Sequence, residues 1–230
     1  MGIGVGQALP DGVVVAMDGP SGSGKSSTAR GVARRLGLRY LDTGAMFRAV
    51  TWWMLEHGID VHDAEAVAAH AADPVLESGT DPTHPTITVD GTDVAGPIRG
   101  PEVTAAVSPV SAVPAVRERL LHEQRAVIGD GGIVVEGRDI GTVVAPDAEV
   151  KVYLTADPSA RATRRTAEAG GDVAATAASL ARRDEIDSGR ATAPLVMAAD
   201  AHHLDTTDFT LDEVVTQVVA LVRGAGPQGT

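Results

Sequence analysis

The stretch Gly19-Pro20-Ser21-Gly22-Ser23-Gly24-Lys25-Ser26 fits the pattern G-x-x-x-x-G-K-[ST]. It follows a predicted strand at residues 13–17 and opens a predicted helix at residues 26–36, which is the context that a phosphate-binding loop requires. Glycines let backbone N–H groups turn toward phosphates, and the N-terminus of the helix adds positive potential. We therefore predict that these residues, and Ser27 after them, bind a nucleoside triphosphate.

Two side chains of this loop carry charge or metal chemistry. Lys25 places a point charge near the β- and γ-phosphates, and the Ser26 hydroxyl is the expected ligand of Mg²⁺, completed by water. Glu136 and Asp18 are candidates for orienting water bound to the metal, and each is equally interpreted as a structural carboxylate. Mg²⁺ is thus the predicted cofactor.

Short Val/Ile runs alternate with longer amphipathic stretches along the chain, a pattern typical of a parallel sheet covered by helices. The expected fold is α/β with three layers and a five-stranded parallel sheet. Besides the first strand, the predicted strands are residues 39–41, 133–135, 150–154 and 203–205. A helix is predicted at residues 43–56, and two more begin at Asp157-Pro158 and at the capping box Thr210-x-x-Glu213.

Residues 73–113 break this alternation and are rich in Pro, Thr, Asp and Gly. Within them, ITVDGTDV predicts a small hairpin whose two-residue turn is Asp90-Gly91. We interpret the segment as an insertion that carries part of a substrate site; a solvent-facing decoration is the alternative. A second irregular stretch, residues 169–172, joins two Arg-bearing segments and is interpreted as the tip of a mobile lid.

Composition and charge limit the expected partners. The formal charge of −12 opposes binding to a polyanion, and only 3% of residues are aromatic, which leaves few platforms for base stacking. Because the chain has no cysteine, disulfides and thiolate sites are excluded. Residues 1–12 resemble neither a signal peptide nor a membrane span, and Gly6 breaks the myristoylation pattern. A cytoplasmic protein without nucleic-acid or membrane partners is expected.

A phosphate-binding loop alone is compatible with three classes of protein. A guanine-nucleotide switch would carry [NT]-K-x-D, but the chain has no Asn, and neither Lys25 nor Lys151 is followed two residues later by Asp. A motor or transporter ATPase would carry a clear hydrophobic run ending in acidic residues, which residues 133–136 match only loosely. A small-molecule kinase needs a second pocket lined with arginine, and the chain offers candidates for one.

The candidate arginines follow strands or recur at helical spacing. Arg48 in LDTGAMFR and Arg138 in EGRDIGTVV lie just beyond predicted strands, where open α/β sheets bind their ligands. In RRDEIDSGR, Arg183 and Arg190 recur at helical spacing with Asp187. For this last group, an ion pair between Arg183 and Asp187 is the alternative interpretation.

Arg161, Arg164 and Arg165 share one face of a predicted helix, because they are three and four residues apart. We predict that they close over the transferring phosphoryl group. An ordinary solvated helix face is the alternative.

The chain resembles the bacterial cytidylate kinase family in five motifs with the same order and spacing: GPSGSGKSS, LDTGAMFR, EGRDIGTVVAPDAEVKVYL, RRDEIDSGRATAPL and LDTT. The resemblance extends from residue 13 to residue 222 and includes the insertion. It implies a nucleoside monophosphate kinase fold of the P-loop type in a single domain, residues 1–230. Its parts would be a monophosphate-binding insertion at approximately residues 44–113, a short helical lid at approximately residues 158–190, and a core made of the remainder. A monomer fits the family.

The resemblance also implies roles for individual residues. The CMP phosphate would be held by Arg48, Arg138 and Arg190, the cytosine edge read by Ser108, Arg117 and Asp139, and the ribose contacted by Arg183 and Asp187. The residues expected to act in catalysis are Lys25, Arg138, Arg161 and Arg165. Thr43 stands where serine is frequent and Phe47 where tyrosine is frequent. These departures leave open the hydrogen bonding at the mouth of the monophosphate site, where Thr43 is an expected CMP-binding residue.

The expected reaction is ATP-dependent phosphorylation of CMP and dCMP to CDP and dCDP by in-line phosphoryl transfer, in pyrimidine nucleotide metabolism. The acceptor monoester already carries negative charge, so positioning and charge neutralisation suffice without a strong base. Asp139 as an acceptor suits the exocyclic amine of cytosine, so uracil should be the poorer base. Two alternatives remain at this point: a kinase for another small acceptor, such as a different nucleotide or shikimate, and a non-catalytic nucleotide-binding module.

Overall fold

A computed structural model of the chain describes residues 9–190 and 192–225. The strands within these residues are β1 (Val14–Asp18), β2 (Arg39–Asp42), β3 (Leu76–Ser78), β4 (Ile87–Val89), β5 (Thr92–Asp93), β6 (Ile133–Glu136), β7 (Val150–Thr155) and β8 (His202–Asp205). The α-helices are α1 (Lys25–Leu36), α2 (Thr43–Glu56), α3 (Ala64–Ala69), α4 (Pro101–Ala112), α5 (Pro114–Ile128), α6 (Pro158–Ala169), α7 (Val173–Gly189) and α8 (Leu211–Gly224). A 3₁₀ turn lies at Pro97–Arg99 and a π-helical turn at Ile140–Val144. In this part of the chain, no helix has the length and apolar composition that crossing a membrane requires.

The main sheet is parallel, with the strand order β2-β6-β1-β7-β8 in the described residues. The predicted five-stranded parallel sheet is thus confirmed, with strand bounds within one residue of those expected. The register pairs Glu136 with Met17 on one side and with Asp42 on the other. The carboxyl ends of β1, β2 and β6 therefore lie side by side at one edge of the sheet, where ligands of such folds bind.

The alternation of residues along β1 divides the core into two layers. Val15 and Met17, with Val13 just before the strand, pack with α1 and α8 on one face, whereas Ala16 packs with residues of α2 and α5 on the other. Successive side chains of a strand point to opposite faces, so a strand buried on both faces is apolar throughout. This pattern places helices on both sides of the sheet and confirms the three layers.

The segment 73–113 contains more regular structure than the sequence indicated. The predicted hairpin is present: β4 and β5 pair across Asp90 and Gly91, whose φ angles of 50° and 76° suit a tight two-residue turn. β3 adds a third antiparallel strand. Helix α4 was missed because proline is abundant there, but Pro101 occupies the first turn, where a missing N–H is harmless. The interpretation of this segment as a functional insertion stays a prediction.

The segment predicted as a lid forms two adjacent helices, α6 and α7. Asp157 caps α6 through the Ser159 N–H, with Pro158 at the first position, as the sequence predicted. Asp172 caps α7 through the Ala175 N–H. Gly170 and Gly171 form the connection between the two helices, with φ angles of 75° and 103°. The predicted capping box of Thr210 and Glu213 at α8 is also present.

Candidate active site

A cavity of about 400 Å³ lies at the carboxyl ends of β2 and β6. The residues predicted from the sequence that line it are Ser21, Gly22, Gly24, Lys25, Ser26, Ser27, Thr43, Arg48, Ser108, Arg117, Glu136, Arg138, Asp139, Arg164, Arg165, Arg183, Asp187 and Arg190. Gly19, Pro20, Ser23 and Arg161 were predicted as well but are not part of the lining. One cavity therefore joins the phosphate loop, residues 19–26, to the arginine-bearing segments.

The phosphate loop owes its shape to glycine at two positions. At Gly19, φ is 142° and a Cβ atom would lie 2.0 Å from the carbonyl oxygen of Leu154 on β7. Gly24 adopts a left-handed conformation, with φ of 86°, as the cap of α1. Other residues are strained in such conformations. The first turn of α1 then opens on the cavity, where its dipole favours phosphate.

Lys25 is buried within this loop and points at the loop backbone. Its Nζ atom donates to the carbonyl oxygen of Pro20 at 2.7 Å and lies 3.5 Å from the Ser23 hydroxyl. Burial is the main cause that lowers the pKa of Lys25, and the guanidinium of Arg138 lowers it further. A phosphate in the cavity would favour the charged form of this lysine.

The Ser26 hydroxyl, at the end of the phosphate loop, is hydrogen-bonded to the carboxylate of Glu136. The Ser26 hydroxyl donates to Glu136 Oε2 at 2.9 Å, and the Tyr40 hydroxyl donates to Oε1. Burial raises the pKa of Glu136, and the nearby Asp42 carboxylate raises it further. Mg²⁺ prefers hard oxygen ligands and retains several waters, so a hydroxyl next to a buried carboxylate fits this ion.

Asp18, the other carboxylate considered from the sequence, has both oxygens occupied. Oδ1 accepts the N–H of Ile140 and Oδ2 accepts that of Gly141, each at 2.8 Å. Burial raises the pKa of Asp18 to about 6. These bonds tie the end of β1 to the π-helical turn that follows Asp139, which favours the structural interpretation of Asp18.

Four arginines, Arg48, Arg138, Arg183 and Arg190, form a cluster in the cavity wall, here called the arginine cluster. Burial lowers the pKa of Arg48 to about 9, and the neighbouring charges of Arg183, Arg165 and Arg99 contribute. Burial and Arg138 likewise lower the pKa of Arg183 to about 10. Guanidinium groups that repel one another in a cavity are relieved by an anion, so this wall is suited to phosphate.

Asp187 is the buried anion that holds two members of this cluster. It accepts a hydrogen bond from Arg138 Nε at 3.0 Å and another from Arg190 Nη2, and Arg190 also donates to the Ser111 hydroxyl at 2.8 Å. The alternative ion pair between Arg183 and Asp187 is not formed. Arg183 donates instead to the Ser21 hydroxyl at 3.3 Å, which links α7 to the phosphate loop.

Arg117 and Asp139 form a buried ion pair elsewhere in the cavity wall. Arg117 also donates to the carbonyl oxygen of Ser111 at 3.1 Å, and its guanidinium carbon lies 5.3 Å from the ring centroid of Phe47. Burial raises the pKa of Asp139. Ser108 is buried in the same wall. The cavity thus offers a fixed donor next to a fixed acceptor, an arrangement that can read the edge of a base.

The three arginines of α6 have different partners, and their predicted closure over the phosphoryl group stays a prediction. Arg161 donates to Asp184 at 2.5 Å and to the carbonyl oxygen of Ser21 at 3.0 Å, outside the cavity wall. Arg164 and Arg165 do line the cavity, and Arg164 also donates to the carbonyl oxygen of Thr206 at 2.6 Å. The Arg161 side chain, which contacts the phosphate loop, is therefore already paired with groups of the protein.

Sequence reasoning missed four charged residues of the cavity wall, Arg30, Asp42, Arg99 and Glu168, and four uncharged ones, Gly44, Val107, Ser111 and Gly137. Arg99 lies 3.5 Å from Asp42 in an ion pair and follows the small hairpin in the 3₁₀ turn. The placement of Arg99 depends on how residues 73–113 fold, for which the sequence offered no spacing signal. The sequence did offer a signal for Asp42, because this residue follows a predicted strand and precedes Thr43.

Comparison with known proteins adds a family to this geometry. Residues 15–224 match the family model described as cytidylate kinase. The chain belongs to the cytidylate kinase family. The resemblance inferred from the sequence is thereby confirmed, as is the predicted activity of a (d)CMP kinase: ATP-dependent phosphorylation of CMP and dCMP within pyrimidine metabolism.

Individual relatives agree with this assignment. A cytidylate kinase of Streptomyces griseus is 59% identical over 215 residues, which span 92% of this chain and 93% of the relative. A cytidylate kinase of Nocardia farcinica is 52% identical over 216 residues, covering 91% and 93%. Among solved structures, an uncharacterized protein from Eubacterium ventriosum has a similar fold, with a TM-score of 0.52 at 11% identity and coverage of 93% and 99%.

Proposed function

We propose that the chain transfers the γ-phosphoryl group of ATP to the phosphate of CMP or dCMP inside the 400 Å³ cavity. ATP binds at residues 19–27 and the acceptor phosphate binds at the arginine cluster. The observation that carries this proposal is the joining of a phosphate loop and a cluster of mutually repelling guanidinium groups in one cavity. All the residues concerned belong to one chain, so a monomer suffices, and we propose the cytoplasm as its location.

The acceptor site is assigned residue by residue. Arg48, Arg138 and Arg190 hold the CMP phosphate, and Arg183 with Asp187 contacts the ribose. Arg48 is pre-positioned by hydrogen bonds to the carbonyl oxygen of Ile98 and the Thr104 hydroxyl, both at 3.0 Å. A rigid guanidinium loses little freedom when phosphate binds, which strengthens binding.

The base is selected by Asp139 and Arg117, with Ser108 beside them. The Asp139 carboxylate accepts from the exocyclic amine of cytosine, and Arg117 donates to the ring nitrogen and carbonyl oxygen. Uracil has an oxygen in place of that amine, which would face the carboxylate without a proton between them. Buried polar groups left unpaired reject a wrong substrate strongly, so UMP is the poorer acceptor.

The reaction needs positioning and charge neutralisation more than a base. An oxygen of the CMP phosphate forms a bond to the γ-phosphorus as the bond from that phosphorus to the β–γ bridging oxygen breaks, and ADP leaves. Lys25, Arg138 and Arg165 neutralise charge on the transferred group, while Arg161 holds the phosphate loop through Ser21. Mg²⁺, held by Ser26 and waters with Glu136 facing it, would neutralise charge on the nucleotide phosphates.

We also propose that residues 44–113 and 158–190 act as the acceptor-binding insertion and the lid. The supporting observations are that Arg48, Arg99 and Ser108 come from the first segment and Arg165, Arg183 and Arg190 from the second. Movement of either segment would change the cavity. Closure would exclude water and so limit hydrolysis of ATP.

The test is an ADP-release assay with CMP, dCMP, UMP, AMP, GMP and shikimate as acceptors. CMP and dCMP should be phosphorylated and UMP much more slowly. Arg138→Ala should lower kcat/KM for CMP by about 100-fold or more, because a partly buried charge that faces the transition state is lost. Arg34→Ala, at an exposed arginine of α1, is the matched control. Full activity of Arg138→Ala would refute the phosphate assignment.

A further inference from the structure

Tyr40 is buried behind Glu136 and has no part in the mechanism described above. Its side chain is only 2% exposed, and its hydroxyl donates to Glu136 Oε1. The other carboxylate oxygen, Oε2, accepts from the Ser26 hydroxyl at 2.9 Å. The carboxylate is therefore fixed at both oxygens, by the phosphate loop on one side and by Tyr40 on the other.

The sheet register explains why Tyr40 reaches this carboxylate. On the adjacent strands β2 and β6, Asp42 pairs with Glu136 and Tyr40 pairs with Val134. Tyr40 is thus the diagonal neighbour of Glu136, a position that a long aromatic side chain can span. Thr43 donates to the backbone carbonyl oxygen of Glu136 at 2.7 Å, so the backbone is held as well.

The charges around Glu136 explain why a neutral hydrogen-bond donor, the Tyr40 hydroxyl, suits this position. Asp42 repels the Glu136 carboxylate, and Lys25 attracts it. A Glu136 carboxylate free to rotate would turn away from Asp42 and toward Lys25. In the proposed mechanism, Lys25 is needed to bind the nucleotide phosphates. The phenol of Tyr40 restrains the carboxylate without adding a cation that would compete for phosphate.

We propose that Tyr40 is a positioning residue for phosphoryl transfer, whose hydroxyl fixes the rotamer of Glu136 so that the carboxylate faces Ser26 and the divalent cation that accompanies ATP. The inference rests on the proposed function, because it takes Ser26 as the side chain that holds this cation. It assigns to a buried core residue an effect on metal dependence rather than on acceptor binding.

Tyr40→Phe removes only the hydroxyl and tests this inference. The Mg²⁺ concentration for half-maximal rate should rise about tenfold, as expected for the loss of one hydrogen bond to a charged group. KM for CMP should stay within about twofold, because the acceptor site is untouched. By calorimetry, the gain in ATP affinity that Mg²⁺ provides over a chelator should shrink by a similar factor.

Tyr153→Phe is the matched control, since the chain has only two tyrosines. Tyr153 lies on β7 beside His203 and outside the cavity, so its variant should leave the Mg²⁺ dependence unchanged. A purely structural role of Tyr40 would lower the unfolding temperature of Tyr40→Phe and leave the Mg²⁺ midpoint where it is. That outcome would overturn the inference.

Glu136→Gln provides a second route, because it changes the carboxylate through which Tyr40 is proposed to act. It should raise the Mg²⁺ midpoint at least as much, and the double variant should be no worse than Glu136→Gln alone, because Tyr40 acts through Glu136. Additive effects would overturn the inference. If wild-type protein phosphorylates CMP but Tyr40→Phe binds Mg²⁺ and ATP normally, the inference fails while the proposed function stands.

Discussion

Replacing Gly19 with alanine tests whether the close approach of the phosphate loop to β7 shapes the ATP site. The added Cβ atom would lie 2.0 Å from the carbonyl oxygen of Leu154, whereas ordinary contacts begin at 3.4 Å, a shortfall of 1.4 Å (3.4 minus 2.0). Leu154 lies on β7, which is paired with β1 on one side and β8 on the other. The strand is held on both sides, so the loop must move.

Two costs follow from this geometry. An alanine at φ of 142° is strained by about 1–3 kcal/mol, and relief of the clash adds to that figure. We expect the free energy of unfolding to fall by about 3 kcal/mol or more. Displacement of catalytic groups by about 1 Å can reduce rate about 100-fold, so kcat/KM for ATP should fall by a factor of that order. KM for CMP should change much less.

Urea unfolding and steady-state kinetics measure the two effects, and Gly58→Ala is the matched control. Gly58 has φ of 68°, and an added Cβ atom would meet nothing within 4 Å. Its variant therefore reports the left-handed conformation alone, a cost of about 1–2 kcal/mol, without any change in ATP kinetics. If Gly19→Ala is no less stable than Gly58→Ala and keeps normal ATP kinetics, contact with Leu154 does not shape the loop.

Two further predictions concern buried carboxylates. Asp139→Asn should lower kcat/KM for CMP by about 100-fold and narrow the preference for CMP over UMP, because the carboxylate that accepts from cytosine is lost; the ratio of the two kcat/KM values measures this. The pKa of Asp18 in the folded protein is about 6, above the ordinary value of 3.8. Folding therefore favours the protonated form of Asp18. The stability that this preference contributes is lost as the pH rises from about 4 to about 6. In urea unfolding, the free energy of unfolding of the wild-type protein should therefore fall by up to about 3 kcal/mol across this pH window, relative to that of Asp18→Asn, whose side chain does not titrate. Parallel pH profiles of the two proteins would contradict the raised pKa of Asp18.

The main sheet could be predicted from the sequence because its signals are local. Val-rich runs buried on both faces stand out from the amphipathic helices around them, and the glycine-rich loop marks where the first strand ends. Helix α4 carried no such signal. Pro101 and Pro109 argued against a helix there, although Pro101 lies in the first turn, where proline is tolerated. The helix is stabilised by burial of Val103, Val107 and Val110.

The partners within the site could be predicted less well than its members. Spacing on a helix correctly suggested that Arg183, Asp187 and Arg190 belong together, but it suggested the wrong ion pair. Asp187 binds Arg138, which is 49 residues away along the chain, and Arg183 binds Ser21, 162 residues away. Such choices depend on which charges burial brings together, and helical periodicity does not encode that.

The arginine cluster also explains how a chain with a net charge of −12 can bind two anionic nucleotides. Arg48 lies on α2, Arg138 follows β6, and Arg190 follows α7, so three separate parts of the chain contribute charge to one cavity. Asp187 accepts hydrogen bonds from Arg138 and Arg190, whereas Arg48 donates to neutral acceptors and is repelled by other guanidinium groups. If the acceptor phosphate binds at the arginine cluster as proposed, it supplies negative charge to all three at once. On the proposed function, acceptor binding would therefore favour the arrangement of α2 and α7 in which these arginines face one cavity.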